Sequence, residues 1–301
     1  MPTKRTDLAD EAHALFAENA EKTTRLQGVR AKQYGRRGCA VTAVDILDGA
    51  GSKALGKPVG HYRTIDLRRG DGAENFSENA RCIAEELRRM LPRRQTPPAP
   101  VLVAGLGNRA VTPDAVGPWT AEKILVTRHL KASLPDAFAS FSPVCAVETG
   151  VLGSTGVESA EIVRGVAERI RPACVIVIDA LVSRRMQRLC STVQLSDTGL
   201  IPGSGIGNHR AALNEDTLHL PVLAVGVPTV IEGATLAADL LEEAGAAVDE
   251  ETLPDSTLIV TPKDIDARVR HLSRLVSCGI NLALQEGWSM EELWALTEEW
   301  G

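Results

Sequence analysis

Three apolar runs that do not alternate with polar residues place the strongest constraint on the fold of this chain. They are VLVAG (residues 101–105), CVIVIDA (residues 174–180) and PVLAVGVP (residues 221–228). A strand that is apolar on both sides is usually buried on both, which is typical of parallel sheets covered by helices. Segments with helical spacing of apolar residues lie between these runs. The sequence therefore predicts an α/β fold, with a mainly parallel sheet and helices on both faces.

The rest of the chain continues this succession of strands and helices. Further strands are predicted at residues 40–47, 62–67 and 257–261, and helices at residues 8–22, 75–91, 119–130, 155–170, 229–244, 264–286 and 290–300. The segment DGAGSKALGKPVG, between the first two of these strands, is interpreted as a loop. A single α/β domain over residues 1–301 is expected, and QTPPAP (residues 95–100) is either a subdomain boundary or a stiff connection.

Composition and charge argue against several classes of function. The net charge is −6 and aromatic residues make up 3% of the chain, which disfavours direct binding of nucleic acid. No apolar run approaches the roughly 18 residues of a membrane-spanning helix, and the N-terminus lacks the apolar segment of a secretory signal. The six cysteines are scattered without a C-x-x-C pair, which disfavours a zinc ribbon or a disulfide framework. These features predict a cytoplasmic, reduced protein.

Two acidic residues follow predicted strands at positions suited to catalysis. Asp114 lies in GLGNRAVTPDAVGP (residues 105–118), after the VLVAG strand, and Asp179 ends the VIVID strand. In open α/β sheets, ligands and chemistry gather beyond the carboxyl ends of the strands, so neighbouring strands would bring both carboxylates into one crevice. Such a pair suits peptide hydrolysis, because one carboxylate can take a proton from water while a protonated partner donates one. The alternative is that each aspartate is a helix cap or turn residue.

Other short motifs in the chain are weaker candidates. GLGN (residues 105–108) lacks the complete G-x-G-x-x-G of a dinucleotide site, and GSGIGN (residues 203–208) is interpreted as a flexible loop. The triplet Asp197-Thr198-Gly199 occurs once, so a turn is favoured over a pepsin-like site. Among six scattered histidines, His209 alone is a candidate metal ligand, since it follows a Gly-rich loop.

Several longer segments carry a family resemblance. They are RTDLADEA, GKPVGHYRTIDL, GLGNRAVTPDAVGP, TGVLGSTGVESAEIVRGV, VIVIDALVSRR, SDTGLIPGSGIGN and VGVPTVI, in this order along nearly the whole chain. Through them the chain resembles the germination protease (spore protease) family of spore-forming bacteria. The resemblance implies an endopeptidase that starts the degradation of small acid-soluble spore proteins during germination. It also implies a fold similar to that of hydrogenase maturation proteases, with additional N-terminal elements.

The resemblance further assigns residues and assembly. The family's proposed catalytic carboxylates map onto Asp114 and Asp179, which are expected to share a proton and activate one water in an atypical aspartic mechanism without metal or other cofactor. Members of the family are made as precursors that remove their own N-terminal segment. The corresponding boundary lies between Asp7 and Leu8, which makes residues 1–7 a candidate prosegment. A homotetramer located in the cytoplasm of the spore core is expected.

Two other functions compete with this interpretation. One is a nickel-dependent maturation protease of the related fold, with a site that includes His209. The other is a protein without catalytic activity that binds spore proteins or a nucleotide. A chelator separates the first from an aspartate-pair enzyme, and the absence of new peptide termini identifies the second.

Overall fold

The computed structural model describes residues 6–19, 26–70, 72–93, 98–203, 210–246 and 258–298. Within them the strands are β1 (Val29–Arg36), β2 (Cys39–Ile46), β3 (Gly60–Asp66), β4 (Val101–Leu106), β5 (Val144–Gly150), β6 (Cys174–Val182), β7 (Thr192–Ser196), β8 (Val222–Glu232) and β9 (Ile259–Val260). The α-helices are α1 (Ala9–Asn19), α2 (Gly49–Leu55), α3 (Ala73–Met90), α4 (Val116–Ala121), α5 (Arg128–Ser133), α6 (Leu152–Thr155), α7 (Ser159–Ile170), α8 (Glu215–Leu218), α9 (Gly233–Glu243), α10 (Ile265–Leu284) and α11 (Met290–Glu298). None of these helices combines the length and the apolar character needed to cross a membrane.

The strands form one sheet in the order β1-β2-β3-β7-β8-β6-β4-β5, and β9 pairs with β8 outside this path. The predicted α/β class is confirmed. The sheet is parallel only across β8, β6, β4 and β5. Strands β1, β2, β3 and β7 extend it with antiparallel pairings. The expectation of a mainly parallel sheet therefore applies to four strands, and the antiparallel extension is built mostly from N-terminal residues.

The three apolar runs that predicted a parallel sheet are β4, β6 and β8, which lie side by side at its centre. Strand β6 illustrates the reason for their composition. Ile176 and Ile178 pack into a core shared with α3, α4 and α10. Val175 and Val177 face the opposite side, where they pack with residues of α7. Each fully buried side chain of this kind contributes about 1.5–3 kcal/mol, so both faces need apolar residues.

Three predicted helices differ from the observed elements. The helix predicted at residues 155–170 begins only at Ser159, because Gly156 ends the short helix α6 in the left-handed conformation, with φ of 71°. Residues 119–130 form no single helix, because α4 ends at Ala121 and α5 begins at Arg128. The chain between them is held by Asn281 of α10, whose Oδ1 accepts from Leu125 N at 2.9 Å and whose Nδ2 donates to Lys123 O at 3.1 Å. These contacts replace the hydrogen bonds of a continuous helix. Residues 229–232 likewise belong to β8, which pairs there with β9 rather than starting a helix.

The predicted loop between β2 and β3 contains a short helix. Asp48 caps α2 by accepting hydrogen bonds from Ala50 N and Gly51 N. Gly56 ends the helix in the left-handed conformation, with φ of 64°. The loop interpretation was therefore wrong for residues 49–55, where glycine content concealed a capped turn of helix.

Candidate active site

Asp114 is positioned by a loop that folds back on itself after β4. Gly107 has a φ of +109°, and a Cβ on it would lie 2.1 Å from the carbonyl oxygen of Asp114. Only glycine allows the two parts of the loop to come this close. The loop ends in a 3₁₀ turn at Thr112–Asp114, and the carboxylate of Asp114 accepts a hydrogen bond of 2.7 Å from Asn108 N. The Asp114 side chain is therefore fixed by the loop that carries it.

Asp179 lies on β6 just beyond the last residue that pairs with β4. The β4–β6 ladder ends at Gly105 and Ile178, whereas Asp179 is still paired with Gly226 of β8. The Asp179 side chain is 6% exposed, and its Oδ1 accepts from Ala180 N at 2.9 Å. Asp179 therefore lies just beyond the carboxyl end of β4. Strand β6 itself continues to Val182, so the prediction that Asp179 ends its strand was wrong by three residues.

Close packing of α4 against the strand ends brings the two aspartates together. Gly117 lies in the first turn of α4, and a Cβ there would be 2.1 Å from the Leu106 carbonyl and 2.6 Å from the Ile178 carbonyl. A Cβ on Gly105 would in turn lie 2.2 Å from the carbonyl of Gly117. These two glycines let the helix that follows Asp114 lie directly on β4 and β6.

The protonation of the pair is unequal. Burial raises the pKa of Asp179 well above its usual value, and the negative charge of Asp114 raises it further. Burial also raises the pKa of Asp114, while the hydrogen bond from Asn108 N and the charge of Arg210 act in the opposite direction. The arrangement favours one proton on Asp179 beside an ionised Asp114. A pair in this state can act as a general acid and a general base.

Both aspartates line a cavity of about 720 Å³. Its other walls come from β3, β6, β7 and β8 and from the segments around them. They are largely apolar and include Pro58, Tyr62, Val111, Pro113, Leu181, Val182, Leu200, Ile201, Val230 and Ile259. A cavity with a few polar groups in an apolar wall is suited to a peptide segment with apolar side chains.

The chain at the predicted processing boundary lies against the same cavity. Thr6 and Asp7 are lining residues, and Leu8 is fully buried. Asp7 N donates to the carbonyl of Val182 at 2.9 Å, and Asp7 Oδ2 accepts from Val182 N at 2.8 Å. The charge of Asp7 also raises the pKa of Asp179. The structure thus brings the residues predicted at the boundary close to the aspartate pair.

Two polar residues of the cavity were missed by the sequence interpretation. Lys57 Nζ donates to the carbonyl of Asp7 at 2.9 Å, and Gln194 Nε2 donates to the same oxygen at 3.1 Å. Lys57 lies in GKPVGHYRTIDL, a segment that carried the family resemblance, which was an available signal. Gln194 lies on β7, a strand that the sequence interpretation did not identify.

The structure describes only some of the weaker candidate motifs. Asp197 accepts from His61 N at 2.7 Å, and Gly199 has a φ of +67°, which fits the turn expected for this triplet. His209, residues 204–208, residues 1–5 of the candidate prosegment and residues 95–97 of the proposed boundary lie outside the described residues. In the part of the chain that is described, no group of three His, Cys, Asp or Glu side chains is arranged to hold a metal ion.

Comparison with known proteins identifies relatives over nearly the whole chain. The sequence profile of a family described as germination protease matches residues 7–252. A germination protease from Caldanaerobacter subterraneus subsp. tengcongensis is 40% identical, with 96% of each chain covered. One from Clostridium perfringens is 39% identical over 97% of this chain and 98% of its own. One from Bacillus cereus is 41% identical over 85% of this chain and 71% of its own.

A solved structure is also similar to part of the chain. It is a [NiFe] hydrogenase maturation protease, HycI, from Thermococcus kodakarensis, and the match covers 65% of this chain and 98% of that one. The sequence identity is 16% and the TM-score is 0.35.

Proposed function

The chain belongs to the germination protease family and is an endopeptidase, and we propose that Asp114 and Asp179 carry out its chemistry. The observation that carries this proposal is their shared position. Both side chains line one cavity at the carboxyl end of the parallel strands, and the charge of one raises the pKa of the other. Two carboxylates that share one proton can supply both the general base and the general acid for hydrolysis of a peptide bond, without a cofactor.

In this mechanism the two aspartates have different roles. Ionised Asp114 takes a proton from a water molecule, whose oxygen then adds to the carbonyl carbon of the bond to be cut. Protonated Asp179 donates its proton to the nitrogen that leaves. The assignment rests on burial, since Asp179 is 6% exposed and its neutral form is favoured there. After the cut the proton is on Asp114, and exchange with water restores the starting state.

The proposed substrates are small acid-soluble spore proteins, cut during germination in the spore core. The apolar walls of the cavity can accept apolar side chains next to the bond that is cut. The same site is proposed to cut its own chain between Asp7 and Leu8, because Asp7 lies at the cavity in the uncut chain. We further propose the homotetramer that the family resemblance implies.

An intact-mass time course tests this function. The purified chain is mixed with a small acid-soluble spore protein, and both masses are followed in the wild type and in Asp114→Asn and Asp179→Asn. The wild type is expected to make one or a few cuts in the substrate and to lose residues 1–7. Either substitution is expected to abolish both reactions with the fold retained, because the acid or the base is missing. Asp136→Asn, at an exposed position, is the matched control and is expected to cut at the wild-type rate.

The competing functions give different results in the same experiment. Arrest of the wild-type reaction by a chelator would indicate a metal-dependent protease. Binding of the spore protein without new termini, in the wild type and in both variants, would indicate a binding protein. Cutting at the wild-type rate by both variants would contradict the aspartate-pair mechanism.

A further inference from the structure

One backbone carbonyl at the cavity accepts hydrogen bonds from two side chains that lie far apart in the sequence. The oxygen of Asp7 accepts from Lys57 Nζ at 2.9 Å and from Gln194 Nε2 at 3.1 Å. Lys57 follows α2, whereas Gln194 is on β7. Two donors that converge on one carbonyl oxygen are the arrangement that stabilises an oxyanion during peptide hydrolysis.

Gln194 contacts both sides of the Asp7–Leu8 peptide bond. While its Nε2 donates to Asp7 O, its Oε1 accepts from Ala9 N at 2.7 Å. The Asp7 backbone is fixed a third time by Val182, whose carbonyl accepts from Asp7 N at 2.9 Å. The peptide group between Asp7 and Leu8 is therefore held by contacts before it and after it. These contacts orient the Asp7–Leu8 peptide bond in particular, and not only the segment as a whole.

The side chain of Lys57 is partly buried, and its Nζ contacts the Asp7 carbonyl directly. Burial lowers the pKa of Lys57, while the negative charges of Asp7 and Glu11 act against that shift. A second, weaker contact of Nζ is the carbonyl of Thr6 at 3.4 Å. A positive charge directed at an oxygen in low dielectric interacts more strongly with developing negative charge than it would in water.

We propose that Lys57 and Gln194 bind the carbonyl oxygen of the peptide bond that is cut and stabilise the oxyanion formed on it. The uncut N-terminal segment occupies this site with the Asp7 carbonyl. The inference rests on the proposed function for the reaction itself, and it adds two catalytic residues to the aspartate pair.

In the proposed step these groups cut the bond between Asp7 and Leu8. Water oxygen bonds to the carbonyl carbon of Asp7, and its proton passes to the Asp114 carboxylate. The π electrons of the carbonyl move to its oxygen, which becomes an alkoxide held by Lys57 and Gln194. When the carbonyl forms again, the bond to the Leu8 nitrogen breaks and that nitrogen takes the proton of Asp179. The products are a carboxylic acid on Asp7 and an amine on Leu8.

The test compares Lys57→Met with Lys53→Met. Lys53 is an exposed lysine on α2, so its substitution controls for charge and composition in the same region. Loss of residues 1–7 is followed by intact mass, and cutting of a synthetic peptide with the sequence of residues 1–19 is followed in parallel to obtain kcat and KM. Lys57→Met is expected to lower both the self-cleavage rate and kcat about 100-fold, the effect of removing one oxyanion donor. Lys53→Met is expected to leave both unchanged.

Gln194→Glu provides a second test that keeps the shape of the site. The carboxylate still accepts from Ala9 N but cannot donate to Asp7 O, so kcat is expected to fall while the segment can still be held. Because this substitution is nearly isosteric, it keeps the inference testable even where Lys57→Met prevents folding.

The outcomes separate the inference from the proposed function. A wild-type chain that cuts neither itself nor the peptide would overturn both. A wild type that cuts, with kcat unchanged in Lys57→Met and Gln194→Glu, would overturn the inference alone. A rise in KM at unchanged kcat would also overturn it, since Lys57 and Gln194 would then only bind the segment.

Discussion

At the scale of single residues, Asp179 is held in an environment that favours its protonated form. The residue is 6% exposed, the negative charge of Asp114 adds repulsion, and its Oδ1 accepts a hydrogen bond from Ala180 N. Ionising such a group weakens the folded state, because burial without sufficient compensation costs free energy. The residue proposed to donate a proton is therefore also a residue that reduces stability at neutral pH.

This leads to a prediction about stability and pH. The pKa of Asp179 is raised in the folded state, so the folded chain binds more protons than the unfolded chain between the two pKa values, and stability falls as pH rises through that window. Asp179→Asn removes this dependence. At pH 7 the free energy of unfolding of the variant is expected to exceed that of the wild type by about 1 kcal/mol or more. The difference is expected to shrink towards pH 4. Denaturant unfolding at several pH values measures it, and an equal or lower stability at pH 7 would contradict the argument.

A second prediction concerns the coupling of the two aspartates. The charge of Asp114 raises the pKa of Asp179, so Asp114→Asn is expected to lower the pKa of Asp179. Titration of carboxyl carbons by NMR in the wild type and the variant measures the difference. An unchanged Asp179 pKa would mean that burial alone sets its protonation and that the two groups do not act as a pair.

At the scale of elements, the active site depends on how closely α4 packs on β4 and β6. Gly117 makes this possible, since a Cβ there would be 2.1 Å from the Leu106 carbonyl. Backbone atoms cannot yield at this distance, so any side chain must push the helix away. Asp114 precedes α4 by two residues, which means that a shift of the helix also moves the proposed general base.

Gly117→Ala is therefore expected to cost about 1–3 kcal/mol of stability through overpacking. It is also expected to lower peptide cleavage at least tenfold, because small displacements of catalytic groups reduce rates strongly. Gly165→Ala is the matched control, since Gly165 is an exposed helical glycine of α7 whose Cβ would meet no atom within 4 Å. That substitution is expected to be neutral or to stabilise by about 0.5–1 kcal/mol. Thermal unfolding and kcat/KM measure both, and equal effects of the two substitutions would show that close packing of α4 is not required.

At the scale of the whole molecule, the N-terminal segment is joined to the sheet by more than the bond that is proposed to be cut. Leu8 is fully buried, and Glu11 of α1 accepts hydrogen bonds from the backbone amides of Arg184 and Arg185. Asp10 pairs with Arg188 on the same side. These contacts all lie after the boundary between Asp7 and Leu8.

A cut at this boundary is therefore expected to leave α1 in place. Hydrogen–deuterium exchange of residues 9–19, measured before and after self-cleavage, is expected to show the same protection, because the buried contacts of α1 persist. Exchange that becomes fast after the cut would show that α1 leaves with the released segment and would contradict the prediction.

Local sequence patterns determined the parallel centre of this protein and the position of its aspartates. Strands that are buried on both faces must be apolar throughout, so β4, β6 and β8 are recognisable without knowledge of their neighbours. Residues near the carboxyl ends of such strands meet at one edge of the sheet, which is why Asp114 and Asp179 could be proposed from their place in the chain. The apolar strands and the positions of the two aspartates can both be recognised from residues that are close in sequence.

Contacts between residues far apart in the sequence determined the features that local patterns did not predict. The break after α4 exists because Asn281 satisfies the backbone there, and no local pattern around residues 121–128 reports that contact. The antiparallel extension depends on strand partners such as β3 and β7, which are far apart in the chain. Lys57 and Gln194 likewise meet the Asp7 carbonyl only after the sheet has formed. Their spacing in sequence carries no periodic signal, so only the three-dimensional structure shows that both contact the same carbonyl oxygen.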